Sequence, residues 1–470
     1  MTNEIQSFIG IVAFCKNRGI GKNNVIPWNL KDDILFFKTI TTNNMVVMGR
    51  KTYESIPDKH KPLSNRLNIV LTRNPEKYKS EHSNLVYTDS FNVFSVLNQY
   101  SLKYCNVFIA GGTEIFNLFY NKINTLYVTN IEKEYDVDTH FPQITNDFTL
   151  LKYSKNHWSD EENCFFRFMK YERNRESNIS FDSTYLDLVK RVLEQERNVR
   201  PNRTGIDTIS IFGDQISFNI ESHVPCLTTK RLAWKSCIEE LLWFMCGDTD
   251  ANILKKKNVG IWNGNSSREF LDKTGLNHLE EGDCGANYSF QWRYFGQEYK
   301  DCKTEYVKHT KFDQINNIIH LLKTDPYSRR IFLSAWNPLD LDKTVLPPCH
   351  VSAQFYVDEN NGLSCHMYQR SCDVFLGLPF NIFSYTVLTY ILAKKCGMTP
   401  KRLVISLGDT HIYTNHIEQV KEQLKRPILS YPILKVNDDV TNKSIEEINI
   451  DDFELIGYFP HNSIKAPMAV

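Results

Sequence analysis

The sequence has no excess of charge of either sign. Its 470 residues include 55 lysines and arginines and 55 aspartates and glutamates, so the formal net charge at pH 7 is zero. No global electrostatic field therefore draws the chain to nucleic acid or to a membrane surface, and we expect neither as an obligatory partner. Any anionic ligand must be bound by a local group of cations.

Long apolar runs and closely paired cysteines are also missing. The longest apolar run, at residues 241–246, is far shorter than the ~20 residues that a transmembrane helix needs. The first residues contain no basic segment followed by an apolar one, so we expect no signal peptide and a cytoplasmic location. None of the 12 cysteines lies in a C-x-x-C pair. We therefore expect free thiols and no metal site.

Two domains are predicted from the length and the order of elements, because 470 residues are too many for one ordinary core. In the first half, strand-like runs alternate with helix-like segments, a pattern typical of an α/β fold with a mixed, largely parallel twisted sheet. The predicted strands cover residues 7–14, 45–48, 68–72, 106–110, 125–131 and 164–171. A polar stretch then divides the chain, so we expect domains at residues 1–173 and 183–470 with a short linker at 174–182.

Two predicted strands end in glycine turns that lead into helices. One turn is Gly49-Arg50-Lys51-Thr52 and the other is Gly111-Gly112-Thr113. Backbone N–H groups at such turns bind phosphate, and Arg50, Lys51 and Arg73 add positive charge. A glycine pair alone is a weak signal, but the two turns together favour a nucleotide that carries an additional phosphate.

A predicted helix after residue 29 carries a candidate acid. Asn29 is a plausible N-cap with Asp32 three residues later, and the helix is expected to run to about residue 40. Asp33 shares a helix face with Phe37. Burial would raise the pKa of Asp33 and the helix N-terminus would lower it, so the sequence leaves the net direction open. An ordinary surface acid in a first helical turn is an equal alternative.

The first half contains a series of motifs in fixed order: Ile20-Gly21, Pro27-Trp28, Asp33, residues 49–52, Arg66, Gly111-Gly112 and residues 138–142. Through these motifs residues 5–173 resemble the dihydrofolate reductase family. The resemblance implies that Asp33 and Thr139 hold the pteridine of folate, that Phe37 lines the pocket and that Arg66 binds the folate α-carboxylate. An arginine suits a carboxylate because its planar group binds both oxygens.

The same resemblance implies NADPH as the hydride donor, lying across the two glycine turns. The implied NADPH contacts are Ala13, Ile20, Gly49, Arg50, Lys51, Thr52, Thr72, Arg73, Gly111, Gly112 and Thr113. One departure is Phe116, where the family usually has tyrosine near the nicotinamide. An inactive reductase domain is therefore an alternative to an active one.

The second half contains a candidate nucleophile, Cys349, within the segment Leu346-Pro347-Pro348-Cys349-His350. A thiol attacks only as its thiolate, so a reactive cysteine needs a neighbouring cation that lowers its pKa. Arg370 is the candidate for this cation. A buried structural cysteine is the alternative from these residues alone.

A carboxylate in the apolar helix predicted at residues 233–246 is a second candidate for chemistry. Burial of the Glu240 carboxylate costs free energy unless the group is paired or protonated, which makes Glu240 a candidate for proton transfer. Glu239 points about 100° away from it on a helix, and we expect it to reach solvent.

The second half contains a dense series of motifs at residues 202–205, 261–263, 288–293, 325–330, 346–350, 368–374, 376–382, 408–413 and 464–470. Through these motifs residues 183–470 resemble thymidylate synthase, which implies an α+β fold for this domain. In this order the two halves resemble the bifunctional enzymes that join both activities. In such a fusion the synthase oxidises its folate to dihydrofolate, and the reductase recycles that product.

The resemblance implies that Cys349 adds to C6 of dUMP, and that C5 then takes a methylene group from 5,10-methylenetetrahydrofolate. Glu240 is implied as general acid and base, assisted by Tyr288 and His350. The implied dUMP contacts are Arg203, Arg329, Arg330, Arg370, Ser371, Asp373, Asn381, His411 and Tyr413. Trp262 and Asp373 are implied at the folate, and residues 464–470 are implied to close over the ligands.

Arg329 and Arg330 are implied to reach the site of the other subunit of a homodimer. Asn381 is implied to select uracil, since its amide can accept from N3–H and donate to O4. Four departures flank the folate site: Asn263, Ala286, Asn287 and Ser289. A non-catalytic binding protein is the alternative from another class, and the zero net charge counts against RNA as its ligand.

Overall fold

The computed structural model describes residues 7–101, 103–104, 106–174, 180–308 and 313–468. The chain divides into two compact units, Met1–Ser177 and Asn178–Val470. This division falls within the linker predicted at residues 174–182, of which 175–179 lie outside the described residues. No described helix is both long enough and apolar enough to cross a membrane.

The first unit is built around one large sheet. The strands of the whole unit are β1 (Ser7–Cys15), β2 (Gly19–Gly21), β3 (Met45–Gly49), β4 (Leu67–Leu71), β5 (Leu85–Thr88), β6 (Asn106–Ile109), β7 (Thr125–Ile131), β8 (Thr139–His140), β9 (Phe148–Tyr153), β10 (His157–Ser159) and β11 (Cys164–Arg173). Strands β2 and β8 pair with each other outside the large sheet. The α-helices of the unit are α1 (Lys31–Thr41), α2 (Arg50–Ser55), α3 (Val93–Tyr100) and α4 (Thr113–Phe119). Short 3-10 helices lie at Asp58–His60, Pro75–Lys77 and Tyr120–Lys122.

The main sheet of this unit has the order β10-β11-β7-β1-β6-β3-β4-β5, and β9 also pairs with β11. The pairs from β7 through β1, β6, β3, β4 and β5 are parallel, and β11 is antiparallel to its three neighbours. The prediction of a mixed, largely parallel sheet is confirmed, and each predicted strand is present within two residues of its expected bounds. The carboxyl ends of β3 and β6 therefore meet at one edge.

The predicted start of α1 is wrong. The helix begins at Lys31 after Leu30, and no side chain caps it. The backbone N–H of Asn29 instead donates to the carboxylate of Glu162 at 2.7 Å. A carboxylate from a distant turn thus occupies the place where a local cap was expected.

The second unit contains a six-stranded sheet with the order β12-β13-β17-β16-β15-β14. The strands of this sheet are β12 (Val199–Arg200), β13 (Thr208–Asn219), β14 (Phe332–Ser334), β15 (His350–Val357), β16 (Gly362–Asp373) and β17 (Thr399–Tyr413). A separate two-stranded sheet of the unit contains β18 (Ile433–Val436) and β19 (Phe453–Ile456). The α-helices of the unit are α5 (Phe181–Leu193), α6 (Trp234–Cys246), α7 (Ala251–Lys256), α8 (Arg268–Lys273), α9 (Tyr288–Tyr294), α10 (Gln314–Thr324), α11 (Gly377–Cys396) and α12 (Ile417–Leu424). Short 3-10 helices lie at Thr414–His416, Asp438–Thr441, Ile445–Glu447 and Ile450–Asp452.

One face of this sheet packs on a large core that includes most of α6 and α11. Strands β16 and β17 are parallel, and the other neighbouring pairs are antiparallel. Cys349 lies immediately before β15, and Arg370 lies near the end of β16. The pairing of these two strands brings the two predicted motifs together.

Candidate active sites

The two glycine turns of the first unit meet at the carboxyl edge of its sheet. The backbone N–H of Gly49 donates to the carbonyl oxygen of Gly111 at 2.8 Å. A Cβ atom on Gly49 would lie 3.3 Å from the side chain of Ile115, and Gly111 has a φ of 112°, which favours glycine. Helices α2 and α4 begin directly after these turns, so the backbone forms an open cradle suited to phosphate.

The cations near this cradle differ in their surroundings. The guanidinium of Arg50 is paired with Glu54 at 2.7 Å, so its charge is partly neutralised. Lys51 and Arg73 are exposed. The Thr113 hydroxyl donates to the carbonyl oxygen of His140 at 2.6 Å. The other predicted contacts lie in β1 (Ala13), in β2 (Ile20), in α2 (Thr52) and just after β4 (Thr72).

Asp33 is held by a threonine of β7. The hydroxyl of Thr129 donates to Oδ1 of Asp33 at 2.6 Å. Burial raises the pKa of Asp33, and the hydrogen bond from Thr129 opposes that shift. The net shift in the pKa of Asp33, which the sequence left open, is therefore upward. Thr139, which the resemblance implies at the pteridine together with Asp33, belongs to β8, and its hydroxyl donates to Asp138.

Arg66 and Phe37, two of the residues that the resemblance implies at the folate, lie close together. The guanidinium carbon of Arg66 is 6.0 Å from the centre of the Phe37 ring. Arg66 is only 5% exposed and donates to Ser64 and Thr41. The unusual Phe116 is buried in an apolar cluster, where its ring lies 4.7 Å from that of Phe141.

Cys349 of the second unit is fixed through its backbone. Its N–H donates to the hydroxyl of Tyr288 at 2.6 Å, and its carbonyl oxygen accepts from the N–H of Arg370 at 2.9 Å. The guanidinium of Arg370 donates to the carbonyl oxygens of Pro347 and Pro348, both at 2.8 Å. Burial raises the pKa of the Cys349 thiol, and Arg370 is the strongest opposing influence. The predicted role of Arg370 has the right sign, but burial outweighs it.

Tyr288 and His350 form a stacked pair, with ring centres 4.0 Å apart and an interplanar angle of 15°. Nδ1 of His350 lies 2.9 Å from the hydroxyl of Tyr385. Burial lowers the pKa of His350 to about 3, so this imidazole is neutral at pH 7.

The two glutamates of α6 lie in different environments. Burial raises the pKa of Glu240 to about 7, and Trp262 opposes the shift by donating its indole N–H to Oε1 at 2.8 Å. The expectation that Glu239 reaches solvent is wrong, because its side chain is buried. It is paired with Lys257 at 2.7 Å, which compensates for the loss of water.

A cavity of about 250 Å³ lies beside Arg370. Its lining residues are Arg200, Pro201, Asn202, Thr208, Arg370, Ser371, Asp409 and His411. Arg203, Arg329 and Arg330 are exposed and are not among them. Of the four arginines predicted around a phosphate, the cavity therefore contains Arg370 alone, together with the unforeseen Arg200.

Comparison with known proteins matches both units. Residues 7–173 match the family model for dihydrofolate reductase, and residues 183–470 match that for thymidylate synthase. Bifunctional dihydrofolate reductase-thymidylate synthase of Paramecium tetraurelia is 42% identical over 99% of this chain and 99% of its own length. Bifunctional dihydrofolate reductase-thymidylate synthase 2 of Arabidopsis thaliana is 41% identical over 100% and 90%, and the Leishmania major protein is 38% identical over 99% and 96%. The chain belongs to the bifunctional dihydrofolate reductase-thymidylate synthase family.

The reductase unit reduces dihydrofolate to tetrahydrofolate with NADPH, which makes it an oxidoreductase. The synthase unit is a methyltransferase that converts dUMP to dTMP with 5,10-methylenetetrahydrofolate. The two glycine turns fit a phosphate-bearing cofactor, because each leads directly into a helix and the first N–H groups of a helix have no partner within it. The two reactions are connected, since the dihydrofolate that the synthase unit makes is the substrate of the reductase unit.

The synthase unit also positions its remaining predicted residues around β16 and β17. The amide oxygen of Asn381 accepts from Nε2 of Gln369 at 3.0 Å. The carboxylate of Asp373 accepts from the N–H groups of Phe375 and Leu376. The rings of His411 and Tyr413 lie 5.3 Å apart.

Three residues that contribute to these sites were not foreseen, namely Thr129, Arg200 and Gln369. Thr129 is a buried polar residue of β7, but β7 also contains Thr125 and Asn130, so no signal in the sequence singles it out. Arg200 lies close before Arg203 in sequence.

Among the departures, Asn287 caps α9 by accepting from the N–H of Ser289 at 3.1 Å, so these two residues set the start of the helix that carries Tyr288.

Proposed function

We propose that Cys349 is the nucleophile of the synthase reaction and that its sulfur adds to C6 of dUMP. The arrangement that carries this proposal is the hydrogen bonding of Cys349 to Tyr288 and Arg370 beside the cavity. Burial raises the pKa of Cys349, and Arg370 opposes that shift, so this cation favours the thiolate that attacks. Addition at C6 makes C5 nucleophilic, and C5 then attacks the methylene group of the folate.

The phosphate of dUMP lies in the cavity, where Arg370, Ser371 and His411 contact it or the adjoining sugar. Tyr413 contacts the sugar from the end of β17, and Arg203 approaches from the exposed turn after β12. The amide of Asn381 recognises uracil, and Gln369 fixes its orientation.

Glu240 transfers protons during the synthase reaction. A carboxyl group with a pKa of about 7 both accepts and releases a proton near neutral pH. Tyr288 and the neutral His350 assist, because they lie beside Cys349 and contact each other. Trp262 and Asp373 contact the folate.

The synthase unit forms a homodimer through the outer face of its six-stranded sheet. That face exposes large side chains that a monomer would leave in water: Phe212 is 83% exposed, Tyr356 65%, Phe332 47% and Tyr368 43%. Arg329 and Arg330 lie just before β14, at the edge of this sheet, and are exposed. A second copy packed on this face places them in the phosphate site of its partner.

In the reductase unit, Asp33 and Thr129 hold the pteridine and Arg66 holds the α-carboxylate of the folate. NADPH, when bound, supplies the hydride. Its phosphates lie on the cradle formed by the turns at Gly49 and Gly111. The domains are residues 1–173 and 183–470, a division that the ranges of the two family matches support.

The synthase proposal is tested by tritium release from C5-labelled dUMP. Wild-type protein releases tritium as C5 is methylated, and Cys349→Ser, which lacks the thiolate, is expected to release none above background. Equal release by both proteins would contradict the proposed nucleophile. The reductase proposal is tested by NADPH oxidation with dihydrofolate, which Asp33→Asn is expected to abolish.

A further inference from the structure

The turn between β10 and β11 carries a glutamate that joins three segments of the reductase unit. Oε1 of Glu162 accepts from the backbone N–H of Asn29 at 2.7 Å. Oε2 accepts from the hydroxyl of Tyr135, beyond β7, at 2.6 Å. The Glu162 side chain is only 14% exposed. One carboxylate therefore links the turn, the start of α1 and the segment after β7.

This carboxylate is held in its charged form. Nζ of Lys133 donates to the carbonyl oxygen of Glu162 at 2.7 Å and lies 3.7 Å from Oε2. Burial alone would raise the pKa of Glu162, but the donors Tyr135 and Asn29 and the charge of Lys133 lower it. Hydrogen bonds to an ionised acceptor are stronger than neutral ones, so these contacts resist separation.

The segment that Glu162 holds leads directly into the pteridine pocket. Helix α1 has no side-chain cap of its own, and a negative charge beside its first turn is favourable. Trp28 precedes Asn29, is 8% exposed and packs against Tyr135 with ring centres 5.4 Å apart. Asp33 lies in the first turn of the same helix, where Thr129 of β7 binds it. The start of α1 is thus anchored by Glu162 at one point and by Thr129 at another.

We propose that Glu162 is a positioning residue for the reductase reaction, which holds the start of α1 so that Asp33 keeps its place in the pteridine pocket. The proposal rests on the proposed role of Asp33. Glu162 acts through Asn29 and Tyr135 and does not itself contact the substrate.

The test compares Glu162→Ala and Glu162→Gln in the full chain. Loss of both hydrogen bonds in Glu162→Ala is expected to slow hydride transfer about tenfold, measured as single-turnover NADPH oxidation. Glutamine still accepts from Asn29, so Glu162→Gln should recover part of that loss. The synthase unit supplies an internal control, because its tritium release should not change in either variant.

The pH profile separates positioning from simple stability. Burial raises the pKa of Asp33, so a loosened α1 that admits water should lower it. The limb of the hydride-transfer profile that Asp33 governs is therefore expected to move to lower pH in Glu162→Ala. Tyr135→Phe, which removes one hydrogen bond, should move it less and in the same direction, and it carries the test if Glu162→Ala does not fold.

The matched control is Glu161→Gln on the same turn. Glu161 is 41% exposed and pairs with Lys31 at 2.5 Å, an exposed ion pair that contributes little. We expect Glu161→Gln to change neither the rate of hydride transfer nor the position of the pH limb that Asp33 governs. Equal losses in Glu161→Gln and Glu162→Gln, or a lower melting temperature with unchanged rate and pH limb in Glu162→Ala, would overturn the proposal. Retained hydride transfer in Asp33→Asn would instead refute the role of Asp33.

Discussion

The backbone N–H of Cys349 donates a hydrogen bond to the hydroxyl of Tyr288 at 2.6 Å. The ring of Tyr288 also stacks on His350, the residue after Cys349, at 4.0 Å. Tyr288 therefore fixes both the nucleophile and its neighbour. The hydroxyl also lowers the pKa of the thiol, although burial has the larger, opposite effect. A single oxygen thus influences both the position and the ionisation of Cys349.

Tyr288→Phe is expected to slow tritium release from dUMP by about 10-fold to 100-fold, since an unsatisfied buried N–H costs about 1–3 kcal/mol. The KM for dUMP should change little, because the phosphate cavity keeps its lining. Tyr390→Phe is the control, since that hydroxyl donates to the carbonyl oxygen of Ile220 and bonds to neither Cys349 nor His350. An unchanged rate in Tyr288→Phe would show that the hydrogen bond has no role in the reaction.

Trp262→Phe is expected to move the pH limb of the synthase reaction that Glu240 governs. The indole N–H stabilises the carboxylate, so its removal should raise the pKa of Glu240 above its value of about 7. The limb then moves to higher pH, which tritium release measured across pH would detect. Trp243→Phe is a matched control, because that buried indole donates to the carbonyl oxygen of Asp250 at 3.2 Å. A limb that stays in place in Trp262→Phe would exclude Glu240 as its source.

Thr129→Val is expected to move the limb governed by Asp33 in the reductase reaction to higher pH. The hydroxyl of Thr129 stabilises the carboxylate and opposes the effect of burial, so its loss should raise the pKa of Asp33 further. NADPH oxidation with dihydrofolate across pH measures the shift. Thr139→Val should leave that limb in place, because its hydroxyl contacts Asp138. A limb that moves in Thr139→Val and stays in place in Thr129→Val would mean that Thr129 does not control the ionisation of Asp33.

The features that the sequence predicts well are local ones. Strand periodicity and the glycine turns at residues 49 and 111 depend on neighbouring residues, and both are present where expected. The contact of Arg370 with Cys349 was also expected, although it is not local. The antiparallel pairing of β15 with β16 brings the start of one strand beside the end of the other.

The expectations that failed depend on residues far apart in the chain. Asn29 does not cap α1, because Glu162 binds its backbone from a distant turn. The hydrogen bond from Thr129 of β7 to Asp33 of α1 joins two residues far apart in the chain and was not expected. Glu239 is buried, and Lys257, just after α7, pairs with it there. Burial itself, which dominates the pKa of Cys349, is a property of the folded chain.

Arg200→Ala is expected to raise the KM for dUMP about fivefold, since Arg200 lines the cavity assigned to the phosphate. Arg200 lies 3.4 Å from Asp409 and is 63% exposed in its side chain, so its loss should not unfold the protein. Arg191→Ala is the control, because Arg191 forms a similar pair with Asp214 at 2.7 Å and does not line the cavity. An equal KM for dUMP in Arg200→Ala and wild type would show that Arg200 does not contribute to dUMP binding.

Glu446 joins an ion cluster that includes the buried pair of Arg293 and Asp313, which lie 2.9 Å apart. Its carboxylate contacts Lys308 and lies 3.0 Å from Nη2 of Arg293. Burial alone would raise the pKa of Glu446, but Lys308 and Arg293 lower it from 4.5 to about 2. A carboxyl group with a lowered pKa in the folded state stabilises the protein above its ordinary pKa, and this stabilisation is lost as the pH falls through the folded value.

Glu446→Gln is therefore expected to lower the free energy of unfolding at pH 7 by about 1 kcal/mol, less than the pKa shift alone implies because the group is partly exposed and water screens it. The difference between variant and wild type should narrow as the pH falls from 4.5 towards about 2, where Glu446 becomes protonated. Urea unfolding at several pH values measures this difference. Glu418→Gln, at an exposed carboxylate 3.5 Å from Lys421, is the control. A difference that persists unchanged at the lowest pH would mean that Glu446 acts through packing and not through its charge.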